Sequence, residues 1–368
     1  MRAASIVAVI ASHTIEWWRP PGPEATIFAG YLGLAGVEAF FSLSGFLIGG
    51  ILLRAMEGGL GPRALRRFWV RRWMRTVPPY WVLLAGLGWW FAWPDWRSPL
   101  FLQFSVPRSA WMPLTPHMWS LVLEEWFYLL VPLLLAVAAS VRRGRWVVPV
   151  VCAALIVGCS AGRAAVGVQP SAIWGPDPAH MPLLRLDCAS WGVLAAWLVR
   201  SRAVRAGVAA LALGAGGVLL LAAGWVWIAM FQPERLVPWG VFVWGAAWQP
   251  LEPAIIELAA ALVVLGMYRL LPRGRGVAAG IAGVVARFSY ALYLAHVPVI
   301  YLARAAGIDD ALAGAAGWGN RAIIASLIVG AAMALRFGVE LPVLALRDRL
   351  APERGGAPVS PGGASGRG

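Results

Sequence analysis

Apolar residues run through this chain in long blocks, broken at intervals by short stretches rich in arginine, proline or glycine. Blocks of about 20 residues have the length a helix needs to cross the hydrocarbon core of a bilayer. Their edges predict ten membrane helices, over 2–16, 30–53, 76–93, 117–140, 146–165, 182–199, 206–229, 251–270, 279–303 and 321–345. Residues 1–346 are therefore expected to form one all-α, polytopic membrane domain. The Gly-, Pro-, Ser- and Ala-rich stretch beginning at Ala351 carries few apolar groups, so 347–368 is expected to be a disordered cytoplasmic tail. The first block reads as an uncleaved membrane helix, because no small-residue cleavage site follows it. No solenoid repeat and no soluble second domain interrupts the pattern.

Composition narrows the class. The chain is 60% hydrophobic with a net charge of +14. In a soluble protein that charge would point to nucleic acid, but here the basic residues gather in short loops between apolar blocks. All 31 are arginines, which excludes lysine Schiff-base chemistry. With Met1 in the cytoplasm, the arginines of 54–75, 141–145, 200–205 and 269–278 share its side. The opposite loops hold only Arg19, Arg97, Arg108, Arg235 and Arg304. That asymmetry obeys the positive-inside rule with both termini cytoplasmic. Trp17, Trp18, Trp93, Trp96, Trp111, Trp225, Trp227, Trp239 and Trp244 gather near those outer loops, as an interfacial belt would. Cys152, Cys159 and Cys188 lie in apolar segments without a CxxC pair, so neither a disulfide framework nor a metal signature is present.

Ionisable groups inside apolar blocks are costly, and each marks a candidate site. Arg2 and His13 are eleven residues apart with only small or apolar residues between them, which returns them to within about 20° of one helix face. They stand about 16 Å apart along its axis. Imidazole titrates near neutrality, so His13 is a candidate general base for removing a hydroxyl proton, or could itself be acylated. Glu16 lies three residues further on and could orient the ring. The competing reading is a buried histidine bonded to a backbone carbonyl. Ser120, Glu124 and Tyr128 form one polar stripe, and Ser289, Tyr293 and His296 form another. Of the neighbours Glu124 and Glu125, one is expected to face a cavity and the other the membrane interface. A structural salt bridge from Glu124 to Arg185 or Arg163 is the alternative. Arg185 and Asp187 cannot face each other on a helix, so each needs a partner on another span. Arg72 and Arg75 share a face where the third span leaves the cytoplasm, and guanidinium forks match phosphate geometry. The nearby Arg54, Arg63, Arg66, Arg67 and Arg71 read as lipid-facing charge. Ser42, Ser44, Gly45, Gly49 and Gly50 are small enough for close helix packing.

Taken in order, several motifs carry a resemblance. They are Arg2 to His13, Phe40-Phe41-Ser42-Leu43-Ser44-Gly45, Arg72-Trp73-Met74-Arg75, Trp119-Ser120-Leu121-Val122-Leu123-Glu124, Arg185-Leu186-Asp187, Phe288-Ser289-Tyr290-Ala291-Leu292-Tyr293-Leu294-Ala295-His296 and Glu340-Leu341-Pro342. Together they resemble the bacterial acyltransferase-3 family of integral-membrane O-acyltransferases, from residue 2 to about 345. The chain departs from that pattern at Leu341, where a basic residue is usual. The resemblance implies a cytoplasmic-membrane enzyme that moves an acyl group, by analogy acetyl, from acyl-CoA to a hydroxyl of a saccharide or glycosylated metabolite. It implies no permanently bound cofactor and no metal. It places His13, Arg2 and Glu124 in catalysis, and Arg72 and Arg75 on the acyl-CoA donor. Ser44, Trp119, Ser120, Arg185, Tyr293 and His296 would contact substrate. The rival class is a multispan transporter, since buried Arg, His and Glu also line relays. It is weakened by the lack of an inverted repeat or paired broken helices.

Overall fold

A computed structural model describes residues 1–14, 23–90, 96–103, 115–141, 144–166, 181–201, 204–231, 251–271, 276–308 and 317–352. These are helical throughout, with no strand among the described residues. We number the helices α1 (Arg2–Thr14), α2 (Pro23–Glu57), α3 (Pro62–Trp90), α4 (Trp119–Val141), α5 (Val147–Val166), α6 (Ser190–Arg200), α7 (Ala206–Phe231), α8 (Glu252–Leu270), α9 (Val277–Ala305), α10 (Gly317–Leu335) and α11 (Leu341–Leu350). Short turns at Ser98–Leu100, Pro116–Met118 and Met181–Leu184 complete the order.

Seven described helical stretches are long and apolar enough to cross a membrane, by length and composition. The expectation of ten is therefore met only in part. The other three predicted spans fall on α1, α3 and α6. Thirteen residues give α1 a length of about 20 Å, short of a ~30 Å hydrocarbon core, and α6 is shorter still. Helix α3 is long enough, but arginines fill its first half, and the Pro, Tyr, Trp and Gly residues of its second half keep that part too weakly hydrophobic as well. It also begins at Pro62, well before the expected boundary at 76, so the arginine-rich stretch 63–75 is helix rather than loop. The tail differs too, because α11 continues the helical course to Leu350. Residues 353–368, the loop arginines Arg19, Arg108 and Arg235, and Trp17, Trp18, Trp93, Trp111, Trp239 and Trp244 lie outside the described residues.

Small residues set the packing. Helix α2 is apolar on nearly all sides, as a helix surrounded by others should be, and it packs on α1, α6, α7 and α8. A Cβ added at Gly33 would stand 2.4 Å from Ser12 Oγ, and one at Gly36 would stand 3.0 Å from the Ser5 carbonyl. Those two glycines let α1 lie directly against α2. Across the other face, added Cβ atoms at Gly45 and Gly192 would stand 2.0 Å from the carbonyls of Ala189 and Ser42 respectively. The close packing expected of this stretch is present at Gly45 and Gly49, whereas Gly50 meets only the end of Arg54. Between α10 and α11 the backbone widens into a π-turn at Arg336–Glu340. Pro342 has no N–H to return to the carbonyl of Gly338, and the Leu341 N–H instead reaches back to Arg336.

The α2–α6 contact yields a direct test. Gly192→Ala places a methyl against backbone that cannot rotate away, costing about 1–3 kcal/mol by overpacking. Gly214→Ala in α7 meets nothing within 4 Å. Thermal unfolding followed by size-exclusion in detergent should show a clear loss for the first variant and little change for the second.

Candidate active site

Five helices enclose a cavity lined by Arg2 from α1, Ser44 from α2, Arg72 and Arg75 from α3, Ser120 and Glu124 from α4, and Tyr293 from α9. Its space for the centres of water molecules is about 70 Å³, and Val37, Phe40, Phe41, Leu121 and Tyr290 supply apolar and aromatic wall. Three guanidinium groups and the Glu124 carboxylate line it together, and one of the three, Arg72, contacts that carboxylate. Glu124 Oε1 accepts hydrogen bonds from Ser44 Oγ at 2.7 Å, from Arg72 Nη2 at 3.2 Å and from the Tyr128 hydroxyl. Arg72 also donates to the Tyr128 hydroxyl and lies 4.0 Å from the centre of that ring. Ser44, Arg72, Glu124 and Tyr128 thus form one closed polar knot across three helices. Arg2 and Arg75 line the same cavity with no hydrogen bond or ion pair to the described residues, although both feel the field of Glu124. Two cations without a partner among the described residues thus face a partly apolar cavity, an arrangement chemically able to accept an anion. Just beyond Arg75, Pro78 and Pro79 leave the carbonyls of Met74 and Arg75 without their usual helical donors.

A second cluster sits at the other end of α1. The His13 ring centre lies 5.1 Å from that of His296, which lies 4.9 Å from that of His117. His13 Nδ1 is 2.9 Å from the Val9 carbonyl. A carbonyl can only accept, so Nδ1 carries the proton and Nε2 keeps its lone pair. The backbone bond expected of a merely structural histidine is therefore present, and it also leaves the opposite nitrogen basic on an exposed ring. His296 repeats the arrangement, with Nδ1 2.7 Å from the Tyr293 carbonyl, while its buried Nε2 has no partner among the described residues. Both ring nitrogens of buried His117 are likewise unpartnered there. Tyr293 joins the two ends. It lines the arginine cavity, its ring centre is 5.2 Å from that of His117, and its hydroxyl meets Ser120 Oγ at 2.6 Å and donates to the His117 carbonyl.

The other predicted residues fall elsewhere. Trp119 does not line the cavity but packs edge-on to Phe41, which does, at 6.1 Å between ring centres. Arg185 is not a lining residue either. It is buried, with Nη2 2.7 Å from Glu38 on α2 and 3.2 Å from Glu257 on α8. Asp187 receives a two-pronged bond from Arg163 of α5, at 2.9 and 3.1 Å. Each member of the Arg185–Asp187 pair has therefore found its partner on a different helix. Glu124 bonds neither Arg185 nor Arg163. Its neighbour Glu125 does not line the cavity and is buried near Thr76 and Trp73 of α3 rather than at a membrane interface. Arg71, read as lipid-facing, instead pairs with Asp348 at 3.2 Å. Arg72 and Arg75 lie inside α3, ten and thirteen residues past its start, so they share a level with Glu124. Glu16 lies outside the described residues. Sequence reasoning gave no role to His117, Tyr290, Glu38 or Glu257, although the signal was present: each is a polar group in or at the edge of an apolar block. Among the described residues no His, Cys, Asp and Glu group is placed to hold a metal ion.

A family model described as an acyltransferase domain matches residues 1–336. The chain belongs to the acyltransferase-3 family. Among curated relatives, the peptidoglycan O-acetyltransferase OatA of Listeria monocytogenes is 29% identical over 164 residues, covering 37% of this chain and 23% of that protein. The putative peptidoglycan O-acetyltransferase YrhL of Bacillus subtilis is 29% identical over 208 residues, covering 49% of this chain and 29% of its own length. A putative O-acetyltransferase of Staphylococcus aureus is 30% identical over 162 residues, or 37% of this chain and 24% of that protein. The chain thus spans about a quarter of the length of these relatives. No solved structure matches it. Membership of an acyltransferase family does not favour the transporter reading.

The buried pairs of this acyltransferase-3 domain can be tested apart from its cavity. Arg163→Met strands Asp187 and should cost about 3–5 kcal/mol. Adding Asp187→Leu removes the stranded charge and should restore most of the loss, read as a double-mutant cycle of thermal stability.

Proposed function

We propose that this protein is a membrane-embedded O-acyltransferase that moves an acetyl group from acetyl-CoA to a hydroxyl of a saccharide. The observation that carries the reading is the two-ended use of α1: Arg2 opens onto the cationic cavity and His13 stands among the histidines. In this account Arg2 and Arg75 receive the phosphates of the donor, while Glu124, Ser44 and Tyr128 hold Arg72 at the cavity wall. Glu124 is then a positioning residue rather than a proton carrier. The flexible arm of the donor extends along α1, over the ~16 Å between Arg2 and His13.

At the far end His13 Nε2 accepts the proton of the acceptor hydroxyl as its oxygen attacks the thioester carbonyl. A C–O bond forms, the C–S bond breaks, and His13 returns the proton to the departing sulfur. The relatives named as peptidoglycan O-acetyltransferases support a saccharide acceptor and an acetyl group. The arginine asymmetry of the loops supports a bacterial cytoplasmic membrane, with the donor and both termini on the cytoplasmic side.

Purified protein with acetyl-CoA and soluble peptidoglycan fragments separates the two ends. His13→Gln should lower turnover by about 100-fold or more while leaving acetyl-CoA affinity within about twofold. Arg75→Ala should weaken acetyl-CoA binding by about tenfold or more, the loss of one charge-assisted contact. Full turnover in His13→Gln would remove it from catalysis.

A further inference from the structure

Tyr293 and Ser120 occupy the boundary between the cationic cavity and the histidines. Both side chains line the cavity, and their hydroxyls meet at 2.6 Å. The Tyr293 hydroxyl is fixed a second time by the His117 carbonyl, and on its far side the Tyr293 ring lies 5.6 Å from the His296 ring. Pro116, one residue before His117, stiffens the turn that presents this carbonyl. The phenol is thus pinned from two sides on α4 and its preceding turn, while its own backbone belongs to α9. Phe41 and Leu121 line the same cavity, whose whole extent, arginine end included, leaves about 70 Å³ for the centres of water molecules.

We propose that the Tyr293–Ser120 pair is the acyl-size filter of this enzyme. The inference rests on the donor reading given above and deepens it. A thioester arm that reaches His13 from the arginine end must bring its acyl group past the pinned phenol. A two-carbon acyl group passes, and each added methylene must displace either the Tyr293 ring or the wall formed by Phe41 and Leu121. A hydrogen-bonded phenol resists that displacement more than an aliphatic side chain would, because moving it leaves two polar groups unpaired in an apolar interior.

The test compares kcat/KM for acetyl-CoA and butyryl-CoA with peptidoglycan fragments as acceptor, following release of the coenzyme A thiol. Wild-type protein should prefer acetyl by about 100-fold or more, since each methylene at a tight wall is worth about tenfold or more. Tyr293→Ala should bring the ratio below about 10. Ser120→Ala keeps the ring but frees one of its two anchors, so it should give an intermediate ratio even if the larger truncation fails to fold. A wild-type enzyme indifferent to chain length, or an acetyl preference retained in a folded, active Tyr293→Ala and in Ser120→Ala, would overturn the filter while leaving the donor reading intact. No transfer from any acyl-CoA by folded wild-type protein would overturn the donor reading and the filter with it.

Discussion

A charge inside an apolar bundle must be matched by another helix, and this requirement organises the domain. Arg185 reaches Glu38 and Glu257, and Arg163 reaches Asp187, so α2, α5, α8 and the segment before α6 are tied together where none is exposed to water. Breaking one such pair is far more costly than never having had it, because the survivor is left charged in a medium that solvates it poorly. Arg72 obeys the same constraint at the cavity wall, through Glu124 and Tyr128. Arg2 and Arg75 have no such partner among the described residues, and on the proposed function this difference separates the cations of the scaffold from those that meet the donor.

Helix α1 converts that separation into geometry. It is too short to span a bilayer by itself, yet Gly33 and Gly36 seat it tightly on α2. One face of it therefore presents Arg2 to α3 and α4, and His13 to the histidines of α9 and of the turn before α4. The Val9 carbonyl fixes the His13 tautomer locally, without help from another helix. Tyr293 stands between the two ends and touches both.

Much of this was legible in the sequence, for stated reasons. Hydropathy blocks reveal helices wherever apolar composition alone decides, which is why the seven long apolar stretches were found near their expected positions. They misplace α3, because arginines that bond across the interior look like a surface loop when only composition is read. Helical spacing put Ser120 and Glu124 on one stripe, and both line a single cavity, while Arg2 and His13 lie near opposite ends of the helix expected to carry both. Partner choice was not legible. That Glu124 chooses Arg72, and Arg185 chooses Glu38 and Glu257, depends on helix register and neighbour order, which no local pattern encodes. His117 was passed over because its polar neighbours in sequence are not the rings it meets in space.

The central proposal is that Arg2 and Arg75, which have no hydrogen-bond or ion-pair partner among the described residues, recognise the phosphates of the donor. A ligand-by-variant cycle tests it most directly. Dissociation constants of acetyl-CoA and of acetyl-pantetheine, which carries the thioester arm without phosphates, would be measured on wild-type protein and on Arg2→Ala with Arg75→Ala. The account predicts that the double variant weakens acetyl-CoA by about 100-fold while acetyl-pantetheine changes by less than about threefold. Equal losses for both ligands, or no loss for acetyl-CoA, would contradict it.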